Sequence, residues 1–592
     1  MNRDVALARN YGFAMKLPGM SSGRVRAAVF AVVAIIAVVP SAGQAAGAPA
    51  ARSETTWSST TPIAGVIGSV VRIAAPLPPS AGPHPAKCDT ISYLRWRSAT
   101  GPSDHRKADR ILVAQPGVFE GAGAFDSVAR NTVAAAAARG SSIEFWALDR
   151  RSNCLDDHTG IAAAIGARDY RVASDYYLHG GQADGRRFGG YADGADTAWL
   201  KNVGLEQTLR DQYTVLREAF PDPRQRRAKV LCGGHSLGGF LTGYFAEWDF
   251  DGNRRTTEDA GYRQCGGWFA LDTAIKAGPP NPTSVQLPDV PPPLAALGEP
   301  IFSAVDTALP VLRLPAVINP ETVNLLSLAA TAAQVDPDGV NSVVDSLPVN
   351  TNITLTLRAL LSKDAAMAAT GSPDIRALRA TNTAVLGSLL DDNSQPLGFL
   401  QASVGFPTGS PVGPKSFPVP DALRRLPLVD GQFGDARKAA PTFYDAAHLY
   451  RWLDYDEVGG TRSLPNESQF TTRAGEVTSI RELARSFVEP PLDFTEAYFP
   501  SRIALDLAQS TAPSIARHLL YRNGIGENPI LTIKASGGVA LSGQRGAGRF
   551  VVAPGYNHLD VLTAAQTQNN GRPEIVSSEL ARFAIDPGSA RR

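Results

Sequence analysis

An alternation of strand and helix patterns between residues 90 and 275 is the feature that most limits how this chain can fold. Short apolar runs predict strands at Ile91–Trp96, Arg110–Ala114, Ile143–Leu148, Lys229–Cys232 and Trp268–Leu271. Helix patterns lie between them at Ser127–Arg139, Thr197–Phe220 and Leu237–Trp248. Strands that alternate with helices are joined by right-handed crossovers into a mostly parallel sheet. The sequence therefore predicts an α/β fold in which helices flank a mostly parallel sheet.

The pattern changes after residue 276. Seven prolines lie within Pro279–Pro293, where no regular element can form. Three helical stretches follow, at Glu321–Val335, Ile353–Thr370 and Ile375–Leu390. A second Pro/Gly-rich stretch comes after them, at Phe406–Pro420. Strand patterns then return at Ile530–Ala535 and Arg549–Ala553, before a final helix near Glu574–Phe583. We predict a core in two parts, residues 47–276 and 516–592, separated by a helical and Pro-rich insertion at 277–515.

The first 46 residues have the order of a secretory signal peptide. Arg24 and Arg26 precede an apolar run from Ala27 to Val39, which Pro40 ends, and small residues follow. The run has 13 residues, whereas a membrane-spanning helix needs about 20. We therefore predict a cleaved signal peptide and a secreted, extracytoplasmic protein with no stable membrane span after cleavage. A retained membrane anchor is the alternative.

Export would permit disulfide bonds among the four cysteines. Four cysteines allow three pairings, and the sequence alone does not choose between them. Cys232 and Cys265 bracket one helix between two predicted strands, so we favour that pair, which leaves Cys88 with Cys154. Four buried thiols remain the alternative.

The charge balance excludes one large class of function. The chain has 57 Lys and Arg against 56 Asp and Glu, a formal net charge of +1, and no basic stripe. Nucleic-acid binders carry such a stripe because phosphate contacts supply most of their affinity. We therefore predict no nucleic-acid partner.

One pentapeptide carries the functional hypothesis. Gly234-His235-Ser236-Leu237-Gly238 lies between a predicted strand and a predicted helix, and Gly239 follows it. A serine on a tight strand-to-helix turn exposes its hydroxyl above the sheet, and the flanking glycines leave room for the turn. The helix N-terminus also directs amide donors at charge that develops beside the serine. Ser236 is thus the predicted nucleophile, with a glycine-rich structural turn as the alternative.

The segment Gly234 to Gly239 resembles the nucleophile elbow of lipases and esterases in the α/β-hydrolase family. The resemblance covers residues 90–275 and 516–592 but not the insertion. It implies a sheet of about eight strands, a Ser–His–acid triad and an oxyanion hole made of two backbone amides. Because insertions in this family commonly form a cap, it also implies a cap or lid at 277–515. A module unrelated to catalysis is the alternative for that segment.

His558 is the predicted general base. A serine hydroxyl is a poor nucleophile until an imidazole takes its proton, and in this family the base follows the last core strand. Pro554-Gly-Tyr-Asn-His558-Leu-Asp560 follows the strand pattern at Arg549–Ala553 and resembles the histidine loop of acid-lipase-like hydrolases. His235 lies inside the elbow with its side chain turned from the substrate, so we expect it to contribute packing.

The triad acid departs from the commonest pattern of the family, which has an aspartate after the penultimate strand. No Asp or Glu occurs between Asn528 and Leu559. Asp272 ends the strand pattern that follows the nucleophile helix, and some lipases of the family place their acid there. Asp272 is therefore the candidate, with a capping role as its alternative. Asp560 is too close to His558 in sequence to orient it easily.

Two backbone amides are the candidate oxyanion donors. One belongs to Leu237, directly after the nucleophile. The other is that of Val118, in the loop Gln115–Gly123 after the Arg110–Ala114 strand, where Pro-Gly stands in place of the family's frequent His-Gly. An ordinary Gly-rich connection is the alternative for this loop.

Two acidic segments carry no predicted site. Asp249-Phe-Asp251-Gly-Asn253 has its glycine too early for a calcium loop and lacks the spaced glutamate, so we interpret it as a turn. The charged residues from Asp149 to His158 are interpreted as a salt-bridged loop. We therefore predict no metal and no cofactor.

These residues together predict a secreted serine hydrolase of the esterase or lipase type, acting on a small-molecule or lipid ester. An acyltransferase or a peptidase on the same core, or a non-catalytic binding protein, remains open. Haloalkane and epoxide chemistry is disfavoured because it uses an aspartate where Ser236 stands. The sequence does not predict the acyl-chain preference or the oligomeric state.

Overall fold

The centre of the molecule is one sheet to which both predicted core parts contribute strands. The structure, a computed structural model, describes residues 51–278, 309–313, 318–420, 432–539 and 548–588. The predicted signal peptide and the Pro279–Pro293 segment lie outside the described residues. Residues Pro49–Arg592 belong to one compact unit.

The main sheet has nine strands in the order β1-β2-β3-β5-β4-β6-β7-β8-β9. The six strands from β5 to β9 in this order pair in parallel, whereas β1, β2 and β3 add on with antiparallel pairing. Their bounds are β1 Arg52–Thr56, β2 Val66–Ala74, β3 Thr90–Ser98, β4 Arg110–Gln115, β5 Ile143–Leu148, β6 Val230–His235, β7 Trp268–Leu271, β8 Ile530–Ala535 and β9 Arg549–Ala553. Three further pairs of short strands are Gln182–Ala183 with Arg186–Arg187, Phe406–Thr408 with Arg451–Leu453, and Val412–Pro414 with Ala439–Pro441.

The central strands are apolar because both of their faces are covered. In β4, Leu112 and Ala114 belong to one buried cluster, and Ile111 and Val113 belong to another on the opposite face. All four residues have no exposed surface. Neighbouring residues of a strand point to opposite faces, so a strand covered on both sides reads as a continuous apolar run.

The helices of eight residues or more in the described part of the chain are labelled α1 to α11. They are α1 Asp126–Ala137, α2 Thr159–Ala167, α3 Arg171–Leu178, α4 Leu205–Ala219, α5 Leu237–Glu247, α6 Pro320–Val335, α7 Thr351–Leu361, α8 Asn382–Leu390, α9 Ile480–Val488, α10 Ser501–Ala508 and α11 Ile575–Ile585. Shorter α-helical segments are Gly194–Thr197, Pro223–Lys229, Val343–Ser346, Ala365–Thr370, Pro513–Ala516 and Asp560–Thr563. Helices α1 and α11 pack together on the first cluster's side, and α4 and α5 contribute side chains to the second cluster.

The predicted α/β class with a mostly parallel sheet is confirmed, and each predicted strand lies within or overlaps an observed one. Three predicted helices are wrong in extent. The Ile375–Leu390 helix begins only at Asn382, because a 3-10 turn at Ile375–Ala377 ends before it and the Thr381 side chain caps the new helix. The Thr197–Phe220 helix begins only at Leu205, because a 3-10 helix at Ala198–Asn202 and an extended Gly204 precede it. The Ile353–Thr370 helix divides at Ser362, since the Asp364 side chain accepts from the amide of Met367 and starts a new helix.

The predicted insertion is a long excursion between two neighbouring strands. Strands β7 and β8 pair in parallel, with Ile530 opposite Trp268, although more than 250 residues separate them in sequence. Helix α6 of the excursion packs against α8 and α9, and α9 also packs against α1 of the core. Its role as a cap stays a prediction.

Both favoured disulfides are present. Cys88 pairs with Cys154 and Cys232 with Cys265, and none of the four is a free thiol. The second bond links the middle of β6 to the segment that enters β7. None of the described helices combines the length and the apolar character that a membrane crossing requires.

Candidate active site

Ser236 occupies a strained turn at the end of β6. Its φ of 52° and ψ of −120° lie where L-residues are rarely found, and α5 begins at the next residue. Such backbone conformations cost about 1–3 kcal/mol and persist only where surrounding contacts hold them. The Ser236 amide donates to Leu271 O at 3.2 Å, and the Thr273 hydroxyl donates to Ser236 O at 2.5 Å. Neighbouring backbone therefore fixes this turn, and Ser236 remains partly exposed.

The two glycines that flank Ser236 are required by close backbone packing. A Cβ atom on Gly234 would lie 2.5 Å from Gln115 O, and one on Gly238 would lie 2.0 Å from the same atom. Real Cβ contacts are essentially never so short. The atom met in both cases is a backbone oxygen, which cannot move away as the end of a side chain can. The elbow glycines thus allow β4, β6 and α5 to approach one another, as the sequence predicts.

The structure brings His558 and Asp272 together. His558 Nδ1 lies 2.6 Å from Asp272 Oδ2, and both side chains are buried. Asp272 follows the end of β7, directly beside β6, because His235 and Leu271 are paired neighbours. Ser236 and Asp272 therefore follow the carboxyl ends of the neighbouring strands β6 and β7. His558 lies in the loop after β9.

Asp272 is held as a carboxylate by several donors. The Lys534 ammonium lies 2.5 Å from Oδ1, and the amides of Ala535 and Val539 donate to Oδ1 and Oδ2 at 3.1 and 3.2 Å. Burial alone would raise the pKa of Asp272, but the hydrogen bond from His558 and the Lys534 charge hold it below its ordinary value. The strand β8 and the segment after it contain no Asp or Glu, but they supply hydrogen-bond donors to the Asp272 carboxylate at the end of β7.

The surroundings of His558, the predicted base, favour its neutral form. Burial, and then the charge of neighbouring His235, lower the pKa of His558 below its ordinary value. Since Nδ1 faces Asp272, the lone pair of the neutral ring lies on Nε2. Within the described residues, neither Nε2 nor the Ser236 hydroxyl makes a hydrogen bond, and catalytic hydrogen bonds often tighten only when substrate binds.

His235 has a polar role that the sequence analysis missed. Its Nδ1 lies 2.6 Å from Glu120 Oε1 and its Nε2 lies 3.0 Å from His558 O, and the side chain has no exposed surface. Both nitrogens face acceptors, so both carry protons. Burial alone would lower the pKa of His235, but the Glu120 carboxylate holds it above its ordinary value. The expected packing residue is therefore one half of a buried ion pair beneath His558.

Glu120 links this ion pair to the predicted oxyanion loop. Its Oε2 accepts from the amide of Gly117 at 2.6 Å, while Oε1 contacts His235. Burial alone would raise the pKa of Glu120, but His235 holds it below its ordinary value. A buried histidine needs hydrogen-bond partners, so the presence of His235 in the elbow could have indicated a polar neighbour. The sequence does not indicate that this neighbour is Glu120, because only the fold brings the two residues together.

The candidate oxyanion donors are available. Within the described part of the chain, the amides of Leu237 and Val118 donate to no other residue. Leu237 N belongs to the first turn of α5, where helix amides have no partner in their own helix. Val118 lies in the loop that Glu120 fixes, and the next residue, Phe119, has a φ of 61°.

A segment near the end of the insertion holds the predicted oxyanion loop, Gln115–Gly123, from outside. The amide of Gly121 donates to Phe494 O at 2.9 Å, and the amide of Glu496 donates to Phe119 O at 2.8 Å. Glu496 also accepts from Arg150 Nε at 2.9 Å, and Arg150 in turn donates to the Gly117 carbonyl. This attachment was not predicted, because it joins segments more than 340 residues apart.

An apolar cavity lies beside the oxyanion loop. It has a volume of about 40 Å³, and Phe119 forms part of its wall. Insertion residues Leu325, Leu326, Leu360 and Phe399 form much of the remaining wall. Phe119 directly follows Val118, so the loop that carries the second candidate oxyanion donor also forms part of the cavity wall.

Glu120, His235 and His558 present ligand atoms within 4.8 Å of one another, a spacing that a metal ion could bridge. Among the described residues, all of the possible ligand atoms except His558 Nε2 are already hydrogen-bonded. Both nitrogens of His235, both oxygens of Glu120 and Nδ1 of His558 make hydrogen bonds to protein groups. The chemistry of this donor set fits an ion pair beside a base rather than a metal centre.

Comparisons with known proteins add little to this geometry. No protein-family model matches the chain, and the search of curated proteins gives no significant match. Among solved structures, the juvenile hormone epoxide hydrolase of the silkworm Bombyx mori is similar over 91% of this chain and 78% of that chain, with 10% identity and a TM-score of 0.28. At that TM-score the likeness carries no inference about fold or activity.

Proposed function

We propose that this protein is a serine hydrolase of the α/β-hydrolase family that cleaves carboxylic esters. The observation that carries the proposal is the 2.6 Å contact between His558 Nδ1 and Asp272 Oδ2, beside a serine at φ 52° and ψ −120°. A nucleophile on a strained elbow, a neutral imidazole and a carboxylate that orients it are the parts that acyl transfer through serine needs.

The reaction begins when Ser236 Oγ attacks the ester carbonyl carbon and His558 Nε2 takes the hydroxyl proton. The carbonyl oxygen becomes an oxyanion, which accepts hydrogen bonds from the amides of Leu237 and Val118. Asp272 stabilises the imidazolium without taking its proton. The intermediate collapses when the bond to the leaving alcohol breaks and His558 returns the proton to that alcohol, which leaves an acyl ester on Ser236.

Water then repeats these steps in the second half of the reaction. His558 removes a proton from water, the hydroxide attacks the acyl carbon, and the same two amides hold the oxyanion. Collapse releases the carboxylic acid and returns the proton to Ser236 Oγ. Every proton transfer uses His558, so the mechanism requires no metal and no cofactor.

The substrate proposed is a small-molecule or lipid ester with an apolar acyl group. The cavity beside Phe119 supports this proposal, since its walls are mainly Leu and Phe side chains. We also propose that the protein acts outside the cytoplasm after removal of its leader. The two disulfides are compatible with an oxidising compartment.

The proposal is tested by measuring hydrolysis of p-nitrophenyl esters of graded chain length. Ser236→Ala and His558→Ala should each reduce kcat by about 10⁴-fold or more while circular dichroism shows a folded protein. Exposed Ser58→Ala and His179→Ala are matched controls and should retain activity. Undiminished hydrolysis by folded Ser236→Ala would refute the mechanism.

A further inference from the structure

A loop at the far end of the nucleophile helix holds three carboxylates close together. Asp249, Asp251 and Asp259 follow α5, and each offers an oxygen atom such that all three atoms lie within 4.8 Å of one another. The three differ in exposure, since Asp249 is fully buried, Asp259 is partly buried and Asp251 is exposed. Like charges this close repel, so either a proton or a cation is expected among them.

Two oxygens of this cluster are buried without a hydrogen-bond partner. Asp249 has no exposed surface, and its Oδ1 accepts from the amides of Gly252 and Asn253 at 2.6 and 3.1 Å, but its Oδ2 has no partner. Asp259 Oδ2 accepts from the amide of Asp251 at 2.7 Å, but its Oδ1 is also buried and unpartnered. A buried oxygen left without a partner costs about 1–3 kcal/mol, and more when it is charged.

No side-chain cation satisfies these oxygens. In the described part of the chain, no Lys, Arg or His forms an ion pair with Asp249, Asp251 or Asp259. The nearby Tyr521 hydroxyl donates to Thr256 O at 3.1 Å, and burial and the neighbouring Asp249 raise the pKa of Tyr521 to about 12. The cluster thus combines negative charge, unpartnered oxygens and no protein counter-ion.

The spacing of the oxygens fits calcium. Ca²⁺ binds six to eight oxygen ligands at about 2.3–2.6 Å, so ligands on opposite sides of the ion lie about 4.6–5.2 Å apart. Three carboxylate oxygens within 4.8 Å of one another can therefore contact a single ion. Backbone carbonyls and water would complete the shell, as is usual for Ca²⁺, whereas Mg²⁺ demands a smaller octahedron.

We propose that Asp249, Asp251 and Asp259 bind a Ca²⁺ ion. The sequence of the Asp249–Asn253 segment indicates a plain turn, because its glycine comes too early and it lacks the spaced glutamate of a calcium loop. Asp259 supplies the distant carboxylate instead, because the loop folds back until the amide of Asp251 reaches it. The signal missed in the sequence was an aspartate outside the expected position.

The ion would join two parts of the molecule. Asp249 lies two residues after the end of α5 and makes two contacts with His518. The amide of Asp249 donates to His518 O at 2.7 Å, and His518 Nδ1 lies 2.8 Å from Asp249 O. His518 also stacks on Trp248 with ring centroids 4.6 Å apart. Binding at Asp249 would therefore stabilise the contact between the nucleophile helix and the segment that enters β8, independently of the proposed ester chemistry.

The test uses the full disulfide-bonded chain, freed of divalent ions with a chelator and titrated with Tb³⁺ and with Ca²⁺. Buried Trp248 adjoins the site in sequence and should sensitise terbium luminescence under excitation near 280 nm. We expect saturable luminescence that Ca²⁺ displaces, with a Ca²⁺ dissociation constant of about 10⁻⁵–10⁻³ M, and a rise in Tm with added Ca²⁺.

Asp249→Asn and Asp259→Asn should each weaken Ca²⁺ binding at least about 10-fold and abolish the rise in Tm. Asp259→Asn keeps the test decisive if the buried Asp249→Asn variant does not fold. The matched control is Asp392→Asn, in a second carboxylate cluster with Asp391 and Glu476, which should bind Ca²⁺ as the parent does. No saturable binding, binding that survives Asp259→Asn, or binding lost only in Asp392→Asn would overturn the proposal.

Discussion

At the scale of single residues, the protonation state of His558 depends on burial and on two charged neighbours, Asp272 and His235. Asp272 contacts Nδ1, and the imidazolium of His235 lies with its ring centroid 4.4 Å from that of His558. Asp272 favours the protonated form of His558, whereas burial and His235 disfavour it, and the pKa of His558 lies below its ordinary value. Neutral His558 is the form that can accept the proton of Ser236.

The first residue-scale prediction concerns pH. Because the base must be neutral, kcat/KM should fall as the pH drops through the pKa of His558, with a midpoint below the ordinary value of about 6.5. His235→Asn removes the neighbouring positive charge, so the midpoint should rise. The pH profile of ester hydrolysis measures this shift. An unchanged or lower midpoint in a folded His235→Asn variant would show that His235 does not act on His558 through its charge.

The second residue-scale prediction assigns the acid. Asp272→Asn should lower kcat by about 10³–10⁴-fold with little effect on folding, because the imidazole loses the group that fixes its tautomer. The matched control is Asp560→Asn, since Asp560 is also buried near His558 but accepts from Ser403 and Thr478 instead. Steady-state kinetics on both variants decides between them. An equal loss of kcat in Asp560→Asn would contradict the assignment to Asp272.

At the scale of elements, the junction of β4, β6 and α5 depends on glycine. A Cβ on Gly238 would lie 2.0 Å from the backbone oxygen of Gln115, so accommodation requires a shift of β4 or α5. The same junction positions Ser236 and the loop that carries Val118. A disturbance here is therefore expected to affect stability and catalysis together.

Gly238→Ala should lower the free energy of unfolding by about 3 kcal/mol or more, or prevent folding, because backbone overlap is relieved only by moving whole elements. Gly166→Ala in α2 is the control. Nothing lies within 4 Å of a Cβ there, and alanine favours a helix interior by about 0.5–1 kcal/mol. Urea unfolding of both variants provides the comparison. Equal stability of Gly238→Ala and the parent would mean that the junction is looser than the structure indicates.

Local sequence patterns predicted the elements that have local causes. The buried strands appear as apolar runs, and the elbow appears as glycines around Ser236. Strand β1 was missed because all of its residues are polar and it is stabilised by pairing with β2. Strand β2, which pairs with β3, was missed because Gly68, Ser69 and Arg72 interrupt its apolar residues. The partners that complete the site also escaped prediction. Glu120, Lys534 and the Phe494 carbonyl reach it only through the fold, so no spacing in the sequence encodes their contacts.

At the scale of the whole molecule, two disulfides tie segments that are far apart in sequence. Cys88 and Cys154 are separated by 66 residues, and Cys232 and Cys265 by 33 residues. Cross-links restrict the unfolded chain, and the restriction grows slowly with loop length. The second bond lies next to the elbow, since Cys232 belongs to β6.

Replacement of both Cys232 and Cys265 by serine should lower the free energy of unfolding by roughly 3–4 kcal/mol, which is the loop-entropy value for a loop of this length. Urea denaturation of the parent and the double variant measures the difference. The corresponding Cys88 and Cys154 double variant should lose about as much or slightly more, because its loop is longer. A loss below about 1 kcal/mol in both variants would show that neither bond stabilises the native protein.

The measurement that tests the central claim most directly is active-site labelling with a fluorophosphonate, followed by intact-mass and peptide analysis. The account predicts one label per folded chain, attached to Ser236, with ester hydrolysis lost in proportion to labelling. Ser236→Ala should take up no label. A folded, unlabelled parent protein, or a label on another residue that alone accounts for the loss of activity, would contradict the proposal that Ser236 is the nucleophile.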